Sequence, residues 1–367
     1  MLTKTITLFL AIMILFVTLT SFTPNIKAQE EEEEEEDEEY SYLENDYYAQ
    51  NYDENYFKDN AVKINEVNSM VEENNKLLSK QQLAEDKELD PSRLLTSESK
   101  IGFVLPTFTM AAYDNTFYTF FSKHPDVQNN EFVTTDIDLL TANLPSMEEG
   151  FNSYKAIGLH QLRDFTSYLL PNADLFYLSD EDVHNGLIFT NNNINFYDIL
   201  VMGHSEYVTY EEYYNLKKFV ENGGVIILLD SNTFYTEVDY DPINNKISLV
   251  KGHYWAFDGE KAWRDVKERW ADETTEWVGN NFGCSSCVIT FNNNPFSYMH
   301  HEENYVTNPS VRILIDYEAQ SEFNYLIAAH ELKYGLGKVI SLGIFASDIV
   351  DNNNFLKFFE DLILSSI

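Results

Sequence analysis

Three short stretches gather the residue types that bind metals or move protons. Asp180 and His184 lie in Ser179-Asp180-Glu181-Asp182-Val183-His184, and His204, Glu206 and Tyr207 in Gly203-His204-Ser205-Glu206-Tyr207. His300, His301, Glu302 and Glu303 form the third. Carboxylate, imidazole and phenol groups together suit acid–base catalysis or a hard metal ion. Each also has a plainer reading: Glu206 and Tyr207 cap and pack the base of a helix, His184 bonds a backbone carbonyl, and the His-His-Glu-Glu run is a solvated edge. Ser231, in Asp230-Ser231-Asn232, is a weaker nucleophile candidate. No Gly-x-Ser-x-Gly elbow surrounds it, and a helix cap is its plainer role.

The chain has two cysteines, Cys284 and Cys287. In an oxidising compartment a Cys-x-x-Cys pair closes a small disulfide loop. Zinc is the rival, because Cys284-x2-Cys287-x12-His300 has the spacing of three finger ligands. The fourth is missing, since Asn304, Tyr305 and Val306 stand where it belongs and His301 points to the opposite strand face.

Short apolar runs alternating with helical stretches must position these groups, as in a parallel sheet with crossover helices. The runs are Ile101 to Leu105, Asp174 to Leu178, Ile199 to Met202 and Val225 to Leu229. The spacing predicts helices over Ala112 to Ser122, Gly150 to Leu169 and Tyr210 to Asn222, the last capped by Thr209 with Glu212 three positions on and ended by Gly223-Gly224. Ligands in such sheets gather at the carboxyl ends of the strands, where Asp180, His184, His204, Glu206 and Tyr207 fall. A small polar or amide ligand would suit such a pocket.

An excursion from about 232 to 311 holds all four tryptophans and reads as an insertion, with a hairpin near Val250 to Phe257 and a helix from Glu260 to Trp270. The chain then returns through a strand at Arg312 to Tyr317, a hairpin about Tyr334-Gly335-Leu336-Gly337, a strand at Lys338 to Gly343 and a helix from Asn354 to Leu364.

Residues 1–28 open with Lys4, continue with an apolar run from Ile6 to Val17 and reach Ala28, the order of an export signal. The segment is either cleaved near Gln29 or kept as an N-terminal anchor, and both place the body outside the cytoplasm. Residues 29–60 include an unbroken acidic run from Glu30 to Glu39, which reads as a disordered leader. Residues 61–95 read as a helical linker with one stripe of Ile64, Val67, Val71 and Leu78, either a coiled-coil stalk or a helix docked on its own domain. The formal net charge of −37 argues against nucleic acid and anionic membrane surfaces as partners, and sets no oligomeric state.

The segment Tyr197 to Leu229, with its Gly203-His204-x-Glu206-Tyr207 turn and Gly223-Gly224 pair, resembles the class I glutamine amidotransferase-like fold. Within it the chain is most similar to the C-terminal domain of the N,N-dimethylformamidase large (beta) subunit. Asp180, His184 and Gly186 match one element of that pattern, and Asn232 with Tyr235 another. The resemblance implies a flavodoxin-like parallel sheet sandwiched by helices, spanning 96–367 with the Trp-rich insertion. It also implies an iron-dependent amide C–N hydrolase, with Tyr207 as a metal ligand and Asp180, His184, His204 and Glu206 as candidate catalytic groups. The turn after Val225 to Leu229 is Asp230-Ser231-Asn232. The chain therefore departs from true amidotransferases, which carry a nucleophilic cysteine there. The alternative is a non-catalytic extracellular ligand-binding module on the same fold.

Two outcomes test the outer features. Alkylation under non-reducing conditions should leave Cys284 and Cys287 unlabelled by mass, whereas two labels or stoichiometric zinc would reject the disulfide. A chain starting at Ala61 should melt with the mature protein.

Overall fold

A computed structural model describes residues 99–113, 116–124, 135–146, 154–230, 232–257, 261–264, 268–283, 303–316, 326–343 and 349–367. The segments 1–28, 29–60 and 61–95, Ser231 and the cysteine pair lie outside them. Among the described residues, no helix is long and apolar enough to cross a membrane.

In chain order the elements are β1 (Lys100–Leu105), α1 (Thr107–Tyr113), α2 (Thr116–Lys123), a 3-10 turn (Thr135–Leu140), β2 (Thr141–Asn143), α3 (Tyr154–Leu169), β3 (Asp174–Ser179) and α4 (Asp180–His184). Next come β4 (Ile199–Met202), β5 (Tyr207–Thr209), α5 (Tyr210–Glu221), β6 (Val225–Leu228), β7 (Thr236–Asp241), β8 (Lys246–Gly252), β9 (Trp255–Phe257) and β10 (Ala262–Arg264). The chain closes with α6 (Ala271–Trp277), β11 (Asn280–Gly283), β12 (Glu303–Val306), β13 (Arg312–Asp316), β14 (Leu326–Tyr334), β15 (Gly337–Leu342) and α7 (Asn353–Leu364).

These elements make a mixed α/β structure with two sheets and seven α-helices among the described residues. The larger sheet runs β11-β12-β14-β15-β6-β4-β1-β3, with β13 on β14. Its strands β3, β1, β4, β6 and β15 are mutually parallel. Strand β4 reads Ile-Leu-Val-Met because both of its faces are covered. Alternation sends Ile199 and Val201 to one core with Leu159, Phe355 and Phe359 of α3 and α7. Leu200 and Met202 go to the other, with Tyr213, Leu216 and Phe219 of α5. The smaller sheet runs β10-β9-β8-β7-β5, with β2 on β8. A third core packs it on α1 and α2 through Phe108, Phe117, Phe120, Tyr207 and Trp255.

The strand runs read from the sequence match the structure, as does the cap: Thr209 Oγ1 accepts from the Glu212 amide. Three expectations change. The large sheet is mixed rather than purely parallel, because further antiparallel strands, β12 and β13, pair on β14 beyond the hairpin that forms as expected at Tyr334 to Gly337. The helix expected at Ala112 to Ser122 is two helices flanking Asp114-Asn115. The helix expected at Glu260 to Trp270 gives way to β10, where Trp263 pairs opposite Ala256 on β9, and the next helix among the described residues, α6, begins at Ala271. Tertiary pairing overrides the helical spacing of the tryptophans. The excursion 232–311 thus builds most of the second sheet and contributes β11 and β12 to the first.

A Cβ on Gly337 would stand 2.1 Å from the carbonyl oxygen of Gly224 and 2.6 Å from that of Val220, both backbone atoms that cannot swing aside. Gly337→Ala should therefore lower unfolding free energy by about 1–3 kcal/mol in urea titration.

Candidate functional site

The Gly203-to-Tyr207 turn leaves the carboxyl end of β4 and enters β5, so it crosses from the larger sheet to the smaller. Gly203 is needed at the crossing, because a Cβ there would come within 2.8 Å of the Pro106 ring. Thr109 of α1 fixes the turn, its Oγ1 accepting from the amides of both Glu206 and Tyr207 at 3.1 Å. Further along, the Ser205 carbonyl accepts from the Phe234 amide and the Glu206 carbonyl from the Thr236 amide.

This framework holds the Glu206 carboxylate in the interior with no exposed surface. His253 Nε2 contacts one oxygen, and Tyr113 donates its hydroxyl to the other at 2.6 Å. His204 Nε2 lies 3.4 Å from that second oxygen, while its Nδ1 is 3.7 Å from Asp230 Oδ2. His204 thus bridges two carboxylates. Burial alone would push the Glu206 carboxyl up; His253 and His204 more than offset it and hold it well below the usual carboxylate range. Tyr207 stacks on His253 at 5.5 Å between ring centroids, and Phe121 stacks on it at 5.2 Å. Tyr118 and Tyr235 meet the same imidazole edge-on.

Backbone strain concentrates here. Asn232, Phe234, His253 and Tyr254 all have positive φ without being glycine. Such conformations cost about 1–3 kcal/mol each and persist where the surroundings impose them, commonly at functional sites. Oδ1 of Asn232 is buried and makes no hydrogen bond among the described residues.

Of the candidates read from sequence, His204, Glu206 and Tyr207 come together. Asp180 and His184 make their contacts elsewhere. Asp180 accepts from the Phe108 amide at 2.7 Å and faces Glu212, and His184 Nδ1 meets Thr209 Oγ1 at 2.8 Å beside Tyr240. His300, His301, Glu302, Ser231, Cys284 and Cys287 lie outside the described residues, and Glu303 opens β12. Tyr113 and His253 were missed. Tyr113 had a signal, standing shortly after the carboxyl end of β1; His253, between Gly252 and Tyr254 in the excursion, had none.

The iron that the resemblance implies can be tested against these residues. Among the described residues, no group of three or more His, Cys, Asp or Glu side chains is arranged to hold a metal ion. Among the described residues, the further oxygen donors at the cluster are phenols. Tyr113 sets a phenol oxygen on the Glu206 carboxylate and packs its ring edge-on against Tyr207, so phenol, carboxylate and the His204 imidazole gather in one cluster, donor types that suit a hard cation such as iron. The donor types fit.

Fold and cluster together define an α/β protein that keeps an ionised carboxylate among imidazoles and phenols where its two sheets meet. The family model described as N,N-dimethylformamidase beta subunit-like, C-terminal, matches residues 85–314, and the chain belongs to that family. It carries a formamidase-like domain. No curated protein matches it. Among solved structures, a β-galactosidase from G. stearothermophilus is 13% identical, with 73% of this chain and 30% of that one covered and a TM-score of 0.36. A β-galactosidase from Bacillus circulans sp. alkalophilus is 13% identical over 74% of this chain and 31% of that one, with a TM-score of 0.35. A ThuA-like protein from Bacteroides uniformis is 11% identical, covering 72% and 90%, with a TM-score of 0.33. The chain spans less than a third of the length of the two β-galactosidases.

Thr109→Val should leave two buried amides without an acceptor and lower stability by about 1–3 kcal/mol in urea titration, whereas Thr109→Ser should retain most of it.

Proposed function

We propose that the chain hydrolyses small linear amides at the Glu206 cluster, outside the cytoplasm. The observation that carries the reading is the buried chain of groups Asp230, His204, Glu206 and His253, walled by Tyr113 and Tyr207. Amide hydrolysis needs a proton taken from water as it attacks the carbonyl and returned to the departing amine. Imidazole does both near neutral pH. A carboxylate held as acidic as Glu206 is a poor proton acceptor, so its task is to stay charged and stabilise the imidazolium of His204 or His253. Asp230 supports His204 from the other side. Half-buried Tyr113 and Tyr118 are the more exposed rings of the cluster, the side from which a small amide would approach.

Glu206, Tyr113 and Tyr207 would hold the iron, which when bound would polarise the amide carbonyl as a Lewis acid. Asp180 and His184, set apart from this cluster, support the elements around it rather than the reaction. The finer fold reading is flavodoxin-like, of the class I glutamine amidotransferase type. The lateral order β3-β1-β4-β6-β15 of its five parallel strands supports it, since that is the order 2-1-3-4-5 of such sheets. Export rests on the basic, apolar and small-residue order of residues 1–28. The non-catalytic reading keeps one observation in its favour: His204, Glu206 and Tyr207 have no exposed surface.

Purified protein should release ammonia from formamide or an alkylamine from an N-alkylformamide, and Glu206→Gln should lower kcat by about 10²–10⁴-fold. Tyr207→Phe should reduce bound metal with little change in melting temperature. Full metal occupancy with no turnover across an amide panel would favour the binding module. A lowered melting temperature with unchanged metal content would make Tyr207 a packing residue.

A further inference from the structure

A second buried acidic pair lies near the candidate site and takes no part in it. Asp180, first residue of α4, and Glu212, in the first turn of α5, both have no exposed surface. Asp180 Oδ1 and both Glu212 carboxyl oxygens are buried and have no other hydrogen-bond partner among the described residues, and the two carboxyls lie against each other. Two carboxylates cannot both stay charged in such a place, so the contact requires a proton between them. The groups facing the pair supply no cation. Thr107 and the Phe108 amide approach from α1, Glu181 from α4, and Tyr240 stands beside Glu181 on β7. His184 is engaged by Thr209 and lies 3.8 Å from Glu211. Among the described residues no lysine or arginine pairs with Asp180, Glu181 or Glu212.

The pair touches the site through one turn of chain. Asp180 Oδ2 accepts from the Phe108 amide at 2.7 Å and from the Thr107 hydroxyl at 3.4 Å. One residue later, Thr109 holds the amides of Glu206 and Tyr207. We propose that Glu212 is a positioning residue: it keeps a proton shared with Asp180, and the pair fastens the start of α1 so that Thr109 can hold Glu206 and Tyr207 in place. Burial, and then the Asp180 charge, pushes Glu212 well above the usual carboxylate range; Asp180 is raised by burial and Glu181, and its contacts with Phe108, Glu212 and Thr107 only partly offset this. The inference rests on the Glu206 cluster being the functional site. Its test reads structure rather than turnover, so an absence of amidase activity would leave it standing.

The sign follows from linkage. A carboxyl whose folded pKa is raised gives stability that is fully present below its unfolded pKa and is lost as pH rises towards the folded one. Each such proton changes the folding constant by about tenfold per pH unit across that window. Glu212→Gln keeps a permanent donor to Asp180 and removes that proton. Denaturant titrations from pH 4 upward should show the wild-type folding constant falling, and the variant falling less steeply by one proton. Hydrogen exchange of the segment containing Glu206 and Tyr207, corrected for the intrinsic rate, should speed up with pH in the wild type and stay protected in the variant. Equal pH slopes would overturn the shared proton. A shallower slope with unchanged exchange of Glu206 and Tyr207 would overturn the positioning role. If Glu212→Gln does not fold, the double variant Asp180→Asn/Glu212→Gln, which removes both carboxyls and leaves an amide pair that cannot share a titrating proton, takes its place with the same outcomes.

Discussion

A carboxylate taken fully out of water costs several kcal/mol unless charge and hydrogen bonds inside the protein replace its solvation. Glu206 imposes that constraint on this fold. Its two oxygens draw in His253 from the β8–β9 turn, Tyr113 from the end of α1 and His204 from its own turn, and His204 in turn reaches Asp230 after β6. Those groups come from both sheets and the helices between them. Satisfying one buried charge therefore ties together elements that the apolar cores hold only in general register.

The adjacent pair meets the same demand by the opposite route. Glu206 has imidazoles beside it and stays ionised, whereas Asp180 and Glu212 have no basic partner and keep a proton. Environment alone separates these outcomes, since all three carboxyls are fully buried. Thr109 lies between the two arrangements, next to the amide that Asp180 accepts from and bonded to the amides that carry Glu206 and Tyr207.

Strain and burial are distributed to match. The left-handed backbone at Asn232, Phe234, His253 and Tyr254 is unfavourable locally, and tight aromatic packing around it offsets the cost. Phe234 stacks on Trp277 and His253 lies between Tyr207 and Phe121. The tryptophans of the excursion thus serve to hold the loops that shape the site: Trp270 and Trp277 pack on Tyr213 of α5, and Trp255 on Phe120 of α2.

What the sequence by itself determined is local. The continuous apolar run Ile199 to Met202 marks a strand buried on both faces, Thr209 with Glu212 marks a helix start, and Gly203-His204-x-Glu206-Tyr207 marks the turn that carries the buried carboxylate. Each depends on neighbours within a few residues, so the chain order alone reveals it. Only the tertiary structure decided that His253, 47 residues from Glu206, is its partner, that Tyr113 completes the cluster, and that Asp180 belongs with Glu212 instead. It also turned Ala262–Arg264 from an expected helix into a strand. Those outcomes follow from long-range pairing, from strand edges that must be hydrogen-bonded and a buried charge that must be compensated, and neither demand leaves a period or a motif in the sequence.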